Sequence, residues 1–338
     1  MAMNVEEREK EIHRRRRAGS FTLPGEVDAS GGVSYLVASE SELRSVSPSG
    51  VYRVLLPEDI DPDVTASNVS WMIQRELKRG SADPVIARTL GQLDEFKQTL
   101  IYRDEVVRLV GRHVVAIAKT ISNAADRLDE CRAEANPSAG SVTKAGPSAL
   151  AVEPLEGFDA NCRAFFLFAK AAISGCTGLL VEGFRLKIEP GNFKRVVDEI
   201  AKISPEAADR LRFHDGWCKK ITDARNAIEH PLPVNWLETR NFMLAPGAVI
   251  RPAFRHHFGS DPALFMDFEM NAGLILDKLL QLIEECISEV GFHRFELPWG
   301  VQVLALEETA INPESPFRLR AVLGAPPLPT SPASEDGR

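Results

Sequence analysis

In the second half of the chain stands Arg225-Asn226-Ala227-Ile228-Glu229-His230, closed by Pro231. An imidazole titrates near ~6.5 and exchanges a proton at neutral pH, while a guanidinium stays charged and fits phosphate oxygens as a two-pronged donor. Those are the groups that metal-free cleavage of RNA requires. A base draws the proton from a 2′-hydroxyl, a cation holds the charge that grows on the phosphoryl oxygens, and a 2′,3′-cyclic phosphate results. Asn226 and His230 lie one helical turn apart on a shared face, so the amide can orient the imidazole. Arg225 and His230 are five residues apart, about 140° around a helix, and flank a groove rather than touch. Two copies of the helix packed together would bring both kinds of group to one place. The same residues admit another arrangement, in which Arg225 pairs with Glu229 and His230 sits over the last carbonyls of the helix.

Several elements must hold this segment. Ser204-Pro205 supplies an N-cap and a first-turn proline, and Pro231 forces His230 out of the helical region, so the sequence predicts one helix across 205–230. Its buried stripe is read as Phe213, Trp217, Ile221, Ala224 and Ile228, with Asp215, Lys219, Thr222, Asn226 and His230 opposite. A long Phe- and Ala-rich helix over 158–184 precedes it, broken at Glu189-Pro-Gly-Asn192. A short amphipathic helix over 193–203 follows, with Phe193, Val196, Val197 and Ile200 on one side. After the motif come a hairpin near 242–250 and a closing helix over 264–290 that leaves Asp277, Gln281, Glu284 and Glu285 outside.

The six-residue run in this helical setting resembles the signature of HEPN domains, a superfamily of all-α bundles. The resemblance spans roughly 158–290 and implies a mainly α fold, an antiparallel HEPN-like helical bundle with long N-terminal helices and small β additions. Many members are metal-independent endoribonucleases of toxin–antitoxin, phage-defence or RNA-processing systems that act as homodimers through facing motif helices. Others are catalytically inactive interaction modules. By this likeness Arg225 clamps phosphate, Asn226 orients and His230 transfers the proton. RNA is then the substrate, with no cofactor and no metal, and the alternative is a silent binding module that meets a protein partner through its N-terminal helices. From Pro190 to His230 there are eight Lys or Arg and seven Asp or Glu, so no basic stripe tracks a long RNA backbone. A short or structured RNA suits better.

The chain has 338 residues, 44% hydrophobic and 26% charged, and a net charge of −8. This is globular composition, and it excludes a uniformly basic nucleic-acid-coating protein. The division expected is a charged tail over 1–20, an N-terminal region over 21–134 that is mostly helical from about 66, a linker over 135–156, the HEPN-like domain over 157–290, short strands over 291–323, and a disordered tail over 324–338. Val110, Val114, Ile117, Ile121, Ala124, Leu128 and Cys131 form a heptad seam, read as an intramolecular bundle face. The charged start lacks the apolar segment of a secretion signal. The longest apolar stretch, Phe165 to Val181, is short for a membrane span and contains Lys170, so a cytoplasmic protein without a membrane is expected. Five scattered cysteines without a Cys-x-x-Cys pair predict reduced thiols. Cys218 reads as a buried small hydrophobe, His113 and His214 as packed or surface residues, and Arg255-His256-His257 as a weak metal candidate. No phosphate-binding loop, nucleophile elbow or zinc-ligand pair is present.

Overall fold

The computed structural model describes residues 35–39, 42–55, 72–94, 104–140, 143–146, 149–151, 154–245, 248–258, 264–294, 301–305 and 319–323. The tails expected over 1–20 and 324–338 lie outside these. Among the described residues the protein is mainly helical, with small antiparallel sheets.

A four-stranded sheet comes first, in the order β1 (Tyr35–Ser39), β2 (Glu42–Ser47), β3 (Gly50–Leu55), β4 (Met72–Leu77). Helix was expected from about residue 66, yet Met72–Leu77 is a strand. As an edge it pairs only with β3 and leaves most of its side chains in water, so it lacks the apolar alternation that marks a half-buried strand. Beyond it the chain crosses the β2–β3 turn at Gly80, where a Cβ would lie 2.1 Å from the Ser47 carbonyl oxygen. Only glycine fits.

Helix α1 (Pro84–Ile86) starts with a proline in its first turn and an Asp83 cap that accepts from the Val85 amide at 2.8 Å. It runs into a π-helical turn, Ala87–Gly91. Helix α2 (Asp104–Gly140) then carries the heptad seam, and all seven of its members are buried. Their partner is α3 (Phe158–Gly183), which α2 approaches closely at Gly175, where a Cβ would meet Ile117 Cγ1 at 2.6 Å. The helix also runs through the first residues of the stretch expected to be a linker. A hairpin of β5 (Thr143–Gly146) and β6 (Ala149–Ala151) follows within it. That stretch divides the sequence but not the interior. One hydrophobic cluster runs from Val37, Val46 and Val51 through α2 and α3 to Val290.

Helix α3 is buried on most sides, by Phe158, Phe165, Phe166, Ile173, Leu179 and Leu180 among others. It is long and apolar enough to cross a membrane by composition, but more than half of its most apolar stretch is buried inside the protein. Its central place in the bundle accounts for its composition. Phe158 and Phe165 pack edge-on against Phe268 at 5.4 and 5.6 Å.

Helix α4 (Phe193–Ile200) is capped by Asn192 and buries the four apolar residues its pattern predicts. The single helix expected over 205–230 is two, α5 (Pro205–Arg212) and α6 (Asp215–Glu229), broken at Phe213–His214. A three-stranded sheet in the order β11 (Met266–Asp267), β10 (Ala253–Phe258), β7 (Asn235–Arg240) and the hairpin β8 (Met243–Ala245) with β9 (Ala248–Ile250) precede α7 (Phe268–Arg294). Strands β12 (Val301–Ala305) and β13 (Leu319–Leu323) pair antiparallel beyond it.

Glu284, expected on the outer face of α7, is fully buried. Arg88, in the π-turn, donates to both of its carboxylate oxygens at 2.9 and 2.7 Å and to Asp277 at 2.7 Å. Glu289 is likewise inside and paired with Arg210. The five cysteines are free, buried thiols: Cys131 on α2, Cys162 and Cys176 on α3, Cys218 on α6 and Cys286 on α7.

Candidate functional site

Helix α6 begins where His214 interrupts the chain. The ring is completely buried, and Trp217 Nε1, which can only donate, gives its hydrogen to His214 Nδ1 at 3.0 Å. Nε2 therefore carries the ring's hydrogen and donates to Glu285 on α7 at 2.7 Å. This places His214 among packed residues and fixes where the motif helix starts.

Starting the helix at Asp215 also shifts its inner face. Cys218, Ile221, Ala224 and Ala227 are buried, whereas Phe213, expected to lead the stripe, is 67% exposed at the break. The stripe read from sequence assumed unbroken helical phase through 213–214. Ile221 and Ala224 hold their expected places, and Trp217 and Ile228 are half-buried.

The three motif residues stand at the far end. Arg225 is half-buried and forms an ion pair with Glu229 one turn on, and its Nη1 donates to Asn226 Oδ1 at 3.2 Å. The Asn226 amide thus holds the guanidinium, not the imidazole it was expected to orient. The link from Asn226 to His230 runs through the backbone, with the His230 N–H donating to the Asn226 carbonyl at 2.8 Å. His230 itself is exposed and leaves the helix at φ −131° and ψ 64°, as the proline after it requires. Among the described residues, the hydrogen bond and ion pair of the Arg225 and Asn226 side chains stay within the last turns of α6.

Beside them lies a groove of about 650 Å³ between α3, the start of α4 and α6. Asn226 and Thr222 form its wall toward the motif, Asp215 its other end, and Lys170 and Ser174 its α3 side. Burial, and then the positive Arg225, hold the Lys170 ammonium below the ordinary lysine range. Burial also pushes the Asp215 carboxyl up. Sequence reasoning passed over this groove. The one available signal was a lysine inside the apolar stretch of α3.

The other candidates are accounted for by local packing. Alternation along β10 sends His256 and His257 to opposite faces of the sheet. His256 bonds Asn235 at 2.7 Å, and His257 stacks on Trp236 at 3.9 Å and reaches Glu238 at 3.2 Å. Burial keeps the Cys218 thiol well above its usual value, which removes it as a nucleophile. Among the described residues no three His, Cys, Asp or Glu are grouped to hold a metal ion. No protein-family model, no curated protein and no solved structure matches the chain.

Proposed function

We propose that the chain is a HEPN-like, metal-independent endoribonuclease of the toxin, phage-defence or RNA-processing kind, acting in the cytoplasm as a homodimer. One observation carries the reading. Arg225, Asn226 and His230 stand together at the outer end of α6, and their polar contacts are confined to that helix, so the groups are available to a ligand rather than tied to another element. On one helix Arg225 and His230 diverge by about 140°. Two motif helices face to face supply the phosphate clamp of one chain and the proton-transferring imidazole of the other, which makes the dimer part of the site. The bound RNA phosphate draws Arg225 from Glu229, a half-exposed pair of the kind worth about 1 kcal/mol or less.

The test is cleavage of single-stranded and structured RNA by the purified chain with EDTA present, with product ends analysed and light scattering run on the same sample. Dimeric protein that leaves 2′,3′-cyclic phosphate ends is the expected result. A monomer at micromolar concentration that leaves all RNA intact would overturn the reading.

A second reading, a catalytically silent module that binds a protein partner through its N-terminal helices, is favoured by the Arg225–Glu229 ion pair, which occupies the guanidinium. In that case the dimer, if formed, cuts nothing.

A further inference from the structure

Lys170 poses a problem of its own. It projects from the most apolar helix of the protein into a half-buried position, where a charged ammonium loses hydration. The fold returns one hydrogen bond, to Ser174 Oγ at 2.7 Å, and among the described residues no carboxylate pairs with it. The positive charge of Arg225 on α6 disfavours its charged form further. The two remaining lysines of the groove are different: Lys194 pairs with Asp198 and Lys219 with Asp223, each at 2.6 Å on its own helix. Lys170 differs from them in having no ion-pair partner among the described residues, and after its bond to Ser174 it has two N–H donors left for water or a ligand.

The space in front of it sets the size of such a ligand. The groove holds about 650 Å³, within the ~300–1,000 Å³ range of small-molecule sites in general, which admits a nucleotide unit. Its motif end carries donors, from Lys170, Ser174 and Asn226, beside the Lys219–Asp223 ion pair, and among the described residues Asn226 Nδ2 has no acceptor while its Oδ1 holds Arg225. Its other end carries an acceptor, since Asp215 Oδ1 is buried without a hydrogen-bond partner among the described residues. Donors at one end and an acceptor at the other, about 16 Å apart along α6, suit a phosphate at the first and a sugar hydroxyl or base amine at the second. Gly191 and Gly216 have nothing within 4 Å of where a Cβ would stand, so the wall between is open to a flat group.

We propose that Lys170, with Ser174 and Asn226, forms a phosphate subsite of the groove that holds the RNA strand next to the phosphate being cleaved. The inference rests on the ribonuclease reading for its ligand, and it explains how a chain without a basic stripe holds a substrate. One desolvated cation with a fixed partner set grips a short strand where a diffuse charged surface is missing.

The experiment uses the full chain and a dye-labelled tetranucleotide with 2′-deoxy sugars, which binds but cannot be cut by 2′-hydroxyl attack. Fluorescence anisotropy should show binding to the wild type, a rise in Kd of about tenfold or more in Lys170→Met, and near-wild-type affinity in Lys170→Arg. Lys170→Met should melt close to the wild-type temperature, because it removes a half-buried charge that has no carboxylate partner among the described residues, so weaker binding would not reflect unfolding. A wild type that fails to bind the tetranucleotide, or a Lys170→Met variant that binds it as well as wild type, overturns the subsite. Lys170-dependent binding in a protein that cuts no RNA would uphold the subsite and sink only the ribonuclease reading.

Discussion

His230→Ala is expected to lower RNA cleavage by about a hundred- to ten-thousand-fold, the usual contribution of a proton-transferring side chain, and to leave the melting temperature where it was. The second half follows from the structure. His230 is exposed, and its bond to the Asn226 carbonyl is made by the backbone, which alanine retains. Arg225→Ala is expected to cost as much activity, and stability of about 1 kcal/mol or less, because the Glu229 left behind reaches water. Asn226→Ala should give a partial loss that acts through the guanidinium it holds at 3.2 Å, not through the imidazole. Glu229→Gln releases Arg225 and should raise cleavage. Activity and melting measured on the same four variants separate a working site from a helix terminus: unaltered cleavage by His230→Ala would exclude the proton-transfer role.

Arg88→Ala has the largest expected effect on stability. Its guanidinium is 5% exposed and Glu284 is 1% exposed, so the arginine's removal takes two charge-assisted hydrogen bonds from a carboxylate in the interior. Breaking such a pair from one side costs about 3–5 kcal/mol. Replacing both partners, as in Arg88→Met with Glu284→Leu, should restore most of that loss, whereas Asp277→Ala should cost little because that carboxylate is 44% exposed. Urea unfolding of the three variants is the measurement. If the single and double variants lose the same amount, the arginine acts through packing and not by neutralising Glu284.

Both variants bear on what could be read in advance. The seam from Val110 to Cys131 was legible in full, because spacing of three and four residues over six turns admits one helical face and α3 offers one surface to cover it. The starts of α4 and α5 and the end of the motif helix were legible too, since Asn192, Pro205 and Pro231 act on their immediate neighbours. What escaped depends on residues distant in sequence. Glu284 looks like a solvated position until Arg88, 196 residues earlier, arrives beside it. His214 breaks a helix that local pattern would continue, because Trp217 and Glu285 together fix its ring. Strand β4 exists because β3 has an open edge for it. In the site, the positions of Arg225 and His230 at a helix end were legible, but the choice Asn226 makes between those two side chains was not, because sequence spacing puts both within reach of one short amide.

The buried thiols have a practical consequence. Burial pushes Cys131 up to about 12 and raises Cys162, Cys218 and Cys286 as well, so at neutral pH these sulfurs are protonated and shielded, and an alkylating reagent finds no thiolate. They are spread over α2, α3, α6 and α7, on both sides of residues 135–156, within a single continuous interior. Reagent reaches them when that interior opens, and an interior that opens as a unit exposes all five together. A partly reacted sample would then divide into molecules with no adduct and molecules with five, and the rate at which the second population grows would time the unfolding of the whole chain from within.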